Sequence, residues 1–202
     1  MKIYNDCIAT ADEPFLAFFD DDEFLVLKQH DNLTAFLNAH LVKEGGALTI
    51  NWRVFGSANE TSYKPIPVTR RFPWRLAETS HRVKTIVSRK DVTEVWNAHA
   101  IDVKGPWRDT NGGGYYVSEG KSNEIRPDDV AVLHHYKYKS LEEWHEKSCQ
   151  RKTVFGYAKD CDSKHSIPPA GEVYDDSAWQ ILKARVPKYR RYETDNERDD
   201  KA

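Results

Sequence analysis

Phe18-Phe-Asp20-Asp-Asp22-Glu-Phe-Leu25 sets four consecutive carboxylic acids between two apolar patches. Upstream, Pro14–Phe19 is a short Phe-rich run that reads as a buried strand, and downstream Phe24–Leu27 is a second apolar patch. The position of the acids matters because ligands of open α/β sheets bind beyond the carboxyl ends of strands. If the segment stays extended, Asp20 and Asp22 point to one side and Asp21 and Glu23 to the other. Two carboxylates on one side offer hard oxygen ligands to Mn²⁺ or Mg²⁺ and leave open positions for a substrate diphosphate. The metal would then neutralise charge on a departing phosphate. The plain alternative is a solvated acidic turn.

The flanking sequence supplies the frame. Leu33, Phe36, Leu37 and Leu41 recur at helical spacing, which predicts a helix over 32–43, stopped by Gly45-Gly46. Ala47–Phe55 alternates as a strand with Leu48, Ile50, Trp52 and Val54 on one face, and Gly56-Ser57-Ala58-Asn59 ends it. Residues 60–80 hold three prolines and read as a surface excursion. Val83–Ser88 is a strand, and Val92–Val103 supplies one or two more. Residues 105–122, with Asn111-Gly-Gly-Gly114, read as loop. Asp129–Tyr138 is a strand, and the capping box Ser140-Leu-Glu-Glu143 starts a helix through about Arg151. Residues 186–202 are charged without apolar period, which predicts a disordered tail. No repeat or further boundary is visible, so residues 1–185 read as one α/β domain.

Composition narrows the class. The 202 residues carry 31% charged and 39% apolar side chains, with six Trp. The mean hydropathy is −0.75. A net charge of −2, from 30 Lys and Arg against 32 Asp and Glu, argues against a globally basic nucleic-acid binder. The basic stretch Lys188-Tyr-Arg-Arg-Tyr192 is short and followed by acids, so no nucleic-acid partner is expected. Three cysteines do not make a disulfide scaffold. Neither a signal-peptide h-region nor a bilayer-length apolar run is present in the sequence as given.

Taken in order, the motifs resemble glycosyltransferases of the GT-A fold, in the family 92 and family 2 relatives. Phe18–Leu25 is similar to an F-x-D-x-D-E-F-L signature, and Ile50-Asn-Trp-Arg-Val-Phe-Gly-Ser57 to a W-x-x-F-G-S segment. Arg70-Arg71-Phe72 resembles an R-F element, and Val83-Lys84-Thr-Ile-Val87 a V-K-x-I-V strand. His99 of Asn97-Ala-His99 stands where relatives carry a His. His135-Tyr136 with Lys139-Ser140 resembles an H-Y-x-x-K-S helix start. The likeness spans roughly residues 4–156.

The resemblance implies a mixed sheet with flanking helices, the C-terminal portion of a GT-A fold. It implies metal-dependent transfer from a nucleotide-sugar donor to a carbohydrate or glycoconjugate acceptor, with inversion. Asp20 and Asp22 would hold Mn²⁺ or Mg²⁺, with His135 as a further metal or diphosphate contact. A packed strand histidine is the equal alternative for His135. Glu23 would position a metal ligand. Trp52, Gly56 and Ser57 would form a sugar platform, although a strand Trp is more often core. Lys84, His99, Tyr136 and Lys139 complete the expected donor or acceptor contacts. Lys139 reads equally as a solvated residue before a helix. Inversion needs a general base, and Asp91, Glu94, Asp102 and Glu60 stay open as candidates.

In the family the acidic strand follows about a hundred residues that hold the nucleotide base. Here it begins at residue 18, so the chain reads as truncated, with a second chain or an N-terminal segment completing the donor site. In a longer eukaryotic form that segment would anchor the protein in the Golgi. Two other functional readings stand beside the enzyme. One is an inactive remnant that binds carbohydrate or nucleotide. The other is a zinc-stabilised interaction module built on His145, Cys149, Cys161 and His165, although structural zinc sites usually pair cysteines. Gly120-Lys121-Ser122 lacks the spacing of a phosphate loop.

Overall fold

The computed structural model describes residues 2–113, 117–118, 121–122, 128–147 and 167–197. The helices are α1 (Lys2–Thr10), α2 (Leu33–His40), α3 (Val68–Arg71), α4 (Leu141–His145) and α5 (Ser177–Arg185). The longer strands are β1 (Phe15–Ala17), β2 (Glu23–Leu27), β3 (Ala47–Val54), β5 (Val83–Ser88), β6 (Val92–Asn97), β7 (Ala100–Val103) and β11 (Ala131–His135). Two-residue strands are β4 (Trp74–Arg75), β8 (Trp107–Arg108), β9 (Val117–Ser118), β10 (Lys121–Ser122) and β12 (Val173–Tyr174). The chain divides into two compact units, residues 1–53 with 78–135, and 54–77 with 136–202.

The first unit is built on a sheet of order β1-β5-β3-β11-β2, with β8 added in parallel beside β3. The β1–β5, β5–β3 and β11–β2 pairs are antiparallel. This is the mixed α/β arrangement with flanking helices that the sequence predicts. All six residues of β5 and all five of β11 are buried, as expected for strands covered on both faces. Ala47, Val87, Val95 and Ile101 form a core against which Tyr4, Ile8, Leu16, Phe18 and Trp107 pack. Asn32 caps α2 by accepting from the Ala35 N–H at 2.9 Å. Gly46, at φ 75°, lies where a Cβ would strike the Pro106 backbone, so the turn into β3 requires glycine.

The second unit holds β4 paired antiparallel with β12. Phe55 and Tyr136, both fully buried, stack at 4.5 Å. The Gly56 N–H donates to the Trp74 carbonyl at 2.8 Å, and a Cβ on Gly56 would collide with the Ala170 backbone. The Ser57 N–H donates to the Pro169 carbonyl at 2.7 Å. Both halves of the Ser140–Glu143 capping box are formed. Arg71 forks onto the Glu143 carboxylate at 2.8 and 2.9 Å.

Several boundaries differ from the sequence reading. The predicted helix 32–43 shortens to α2, because Leu41 leaves helical geometry at φ −124° and residues 41–44 continue as turns. The excursion 60–80 contains α3 and β4, and the loop 105–122 contains β8, β9 and β10. Each is too short to show a hydrophobic period. The helix predicted through Arg151 is α4 as far as described, and residues 148–151 lie outside the described residues. Pro187–Glu197 winds as 3₁₀ turns where the sequence predicts no regular structure. Lys183 reaches Glu193 at 2.6 Å, a charge contact that carries no apolar signature. Helices α1 and α5 escape the sequence reading because they bury little: α1 contributes Tyr4 and Ile8 to the core, and α5 buries Ala178 and Trp179.

Candidate functional site

The acidic stretch does not run extended. The Glu23 N–H donates to the Asp20 carbonyl at 3.1 Å, and the Asp20 N–H donates to Glu23 Oε2 at 2.9 Å. These two bonds close residues 20–23 into a turn that enters β2. The condition under which Asp20 and Asp22 would share one side, an extended segment, is therefore not met. The side chain of Asp20 is 56% exposed and that of Asp22 only 6%.

Lys84, on buried β5, reaches this turn. Its ammonium lies 3.1 Å from the Phe18 carbonyl, 3.1 Å from Asp20 Oδ2 and 3.3 Å from Glu23 Oε2, with the side chain 0% exposed. A buried ammonium is tolerable only with such partners. Burial pushes the Glu23 carboxyl above its ordinary value, a rise that the Asp20 N–H and the Lys84 charge oppose without cancelling.

On the neighbouring strand, His135 stands opposite Glu23 in register, and its Nε2 lies 3.5 Å from Asp22 Oδ1. Trp52 packs edge-on to His135 at 4.3 Å and to His99 at 5.6 Å. His99 sits in the turn between β6 and β7, with its N–H on Asn97 Oδ1 at 2.8 Å. Burial, then the Lys84 charge, holds the His99 imidazole below its ordinary value. Glu23 Oε1, Trp52 Nε1, His99 Nδ1 and His135 Nδ1 are buried without a hydrogen-bond partner among the described residues. Buried polar atoms in such a state are ones a water or ligand would satisfy.

The structure thus brings Asp20, Asp22, Glu23, Trp52, Lys84, His99 and His135 into the first unit and links them by contact. Three expectations change. Trp52 is 8% exposed with two imidazoles against it, so it offers no open face for a sugar. Lys84, read from sequence as a donor or acceptor contact, instead faces the acids. Asp91 accepts the Gly46 N–H at 2.8 Å, and Asp102 accepts the Trp96 indole N–H at 2.9 Å. Glu94 is exposed and pairs across the β6–β7 ladder with Asp102.

Gly56, Ser57, Glu60, Tyr136 and Lys139 belong to the second unit. There Gly56 and Ser57 hold backbone bonds, and Glu60 faces Lys64 at 3.2 Å. Lys139 takes a positive φ of 60° just before the α4 cap. Of the proposed zinc quartet, His145 ends α4, while Cys149, Cys161 and His165 lie outside the described residues.

The residues fit a divalent cation in kind. Asp22 offers a carboxylate oxygen and His135 an imidazole, a mixture that suits Mn²⁺. No group of three or more His, Cys, Asp and Glu poised for a metal occurs among the described residues. Cations of this class commonly take one or two protein ligands and fill the rest with phosphate and water. The role of Lys84 had one signal in the sequence. A lone lysine in the buried run Val83–Ser88 needs an anion, and the longest unbroken acidic run in the sequence is Asp20–Glu23, after β1.

The model of glycosyltransferase family 92 matches residues 1–165 of this chain. No curated protein matches it closely.

Proposed function

The chain belongs to glycosyltransferase family 92, and from that premise we propose that it uses a divalent metal at Asp22 and His135 to transfer a sugar from a nucleotide-sugar donor. Family membership makes it a transferase that joins a sugar donor to a carbohydrate acceptor. The finer reading rests on one observation: the Asp22 carboxylate and the His135 imidazole, 6% and 9% exposed, meet at 3.5 Å at the end of β2 and β11. A buried carboxylate and imidazole in contact supply two ligands of the right chemistry, and the acidic turn fixes one of them. When bound there, Mn²⁺ or Mg²⁺ would neutralise charge building on the departing diphosphate.

The protein side chains do the rest. Lys84 neutralises Asp20, Glu23 braces the turn, and Trp52 packs against both His135 and His99. We read the transfer as inverting, so one base takes the acceptor proton. Asp91 and Asp102 are committed to the Gly46 and Trp96 N–H groups, and the base is assigned to neither. The acceptor is a carbohydrate or glycoconjugate. No helix among the described residues is long and apolar enough to cross a membrane.

The test is release of nucleoside diphosphate from a panel of nucleotide sugars with Mn²⁺. Turnover should fall roughly a hundredfold in Asp22→Asn and about tenfold or more in His135→Gln. If Asp20→Asn/Asp22→Asn leaves metal and nucleotide binding unchanged, the metal assignment is wrong. Donor binding without turnover by the unaltered protein would instead identify the inactive remnant. Unfolding by a chelator would favour the zinc module.

A further inference from the structure

We propose that Lys84 is the positioning residue of the acidic turn: its buried ammonium ties Phe18, Asp20 and Glu23 together and so presents Asp22 to His135. The use of that presentation in sugar transfer rests on the function proposed above; the fastening of the turn does not.

An ammonium has three donors, and Lys84 has three acceptors around it. The Phe18 carbonyl lies before the turn, Asp20 Oδ2 at its first residue and Glu23 Oε2 at its last. One cation therefore clamps the entry, the start and the end of the same loop. Glu23 Oε2 also accepts the Asp20 N–H, which closes the loop on itself. Asp22 lies inside this closed segment, and its carboxylate faces His135 across the β2–β11 ladder. Lys84 cannot serve as an exposed phosphate contact, because it is 0% exposed and its donors face the turn.

Arginine would not replace it. A planar guanidinium presents its donors in a fixed fork, whereas three acceptors surround a compact ammonium here. Neutral Lys84→Met would leave the Glu23 carboxylate, 0% exposed, without its cation. That variant risks a folding defect. Lys84→Met/Glu23→Gln removes the orphan charge, and the glutamine oxygen still accepts the Asp20 N–H, so the pair isolates the clamp.

Amide hydrogen exchange followed by NMR reads the turn directly. In Lys84→Met/Glu23→Gln, the Asp20 and Glu23 amides should exchange at least about tenfold faster, with β3 and β5 amides near unaltered rates. The Mn²⁺ dissociation constant should rise about tenfold, with acceptor KM unchanged. Unchanged protection at Asp20 and Glu23 would overturn the proposal. So would equal loss across β3 and β5, which marks a general core defect. The two readings fail separately. Asp22→Asn should abolish Mn²⁺ binding while sparing turn protection. A protein that binds no Mn²⁺ yet loses turn protection without Lys84 overturns the metal reading and supports the clamp.

Discussion

At the scale of single residues, buried titratable groups set how the protein responds to acid. Burial, the neighbouring His30 and the Arg108 charge hold His40 below the ordinary imidazole value of 6.5, and burial and Lys84 do the same for His99. The folded state therefore binds these protons less readily than the unfolded chain. Their contribution to stability is present above 6.5 and is lost as pH falls through the depressed values. Glu23 has the opposite sign: its raised carboxyl contributes stability below its unfolded value and loses it as pH rises through the folded one. Acid loss in the imidazole window thus belongs to the histidines. The thermal midpoint should drop between about pH 7 and about pH 5, and His40→Gln should flatten that drop. An unchanged slope in His40→Gln would place the titration elsewhere.

At the scale of elements, α3 and α4 of the second unit are joined by one ion pair. Burial pushes Glu143 up, but hydrogen bonds from Arg71 and Ser140, with the Arg71 charge, outweigh it and leave its carboxyl below the ordinary value. This pair contributes stability above the unfolded carboxyl value and loses it as pH falls through the folded one. Arg71→Met leaves the Glu143 carboxylate without its cation and should cost about 3 kcal/mol by denaturant unfolding. Arg71→Met/Glu143→Gln should recover part of that loss. Ser140→Ala, which removes a formed cap, should cost about 1 kcal/mol. Full stability in Arg71→Met would show that the fork is replaced by solvent.

Elements also show which signals the sequence carried. Val83–Ser88 was legible as β5 because four of its six residues, Val83, Thr85, Ile86 and Val87, are β-branched. Ser140–Glu143 was legible because a capping box is local chemistry. Helices α1 and α5 were not, since α1 only partly buries Tyr4 and Ile8 and α5 buries Ala178 and Trp179, too few to set a period. The turn in the acidic stretch was not legible for a different reason. Its shape depends on a glutamate side chain bending back to a backbone N–H, which residue spacing does not reveal.

At the scale of the whole molecule, ligand linkage gives a test that needs no substrate. A cation that binds only the folded state stabilises it by about 2.7 kcal/mol at a hundred times its dissociation constant. For a chain of this size, saturating Mn²⁺ should raise the thermal midpoint by roughly 5–10 °C, and a chelator should reverse the shift. Asp22→Asn should abolish the effect. No shift in the unaltered protein would count against a metal at Asp22 and His135.

The sequence by itself determined the family and named the residues of the candidate site. Ordered motifs over roughly residues 4–156 resemble glycosyltransferase family 92, whose model matches residues 1–165, and Asp20, Asp22, Glu23, Lys84, His99 and His135 were all named from them. Periodicity and capping determined most of the elements, because burial and end chemistry repeat at fixed local intervals. Only the tertiary structure decided the division of labour among those residues. Lys84 and Asp20 stand 64 residues apart and meet because β5 pairs with β1, while Asp22 meets His135 because β2 pairs with β11. Strand partners are chosen by the packing of the whole sheet, so the choice of which acid receives a buried cation, and which is left facing an imidazole, is made there.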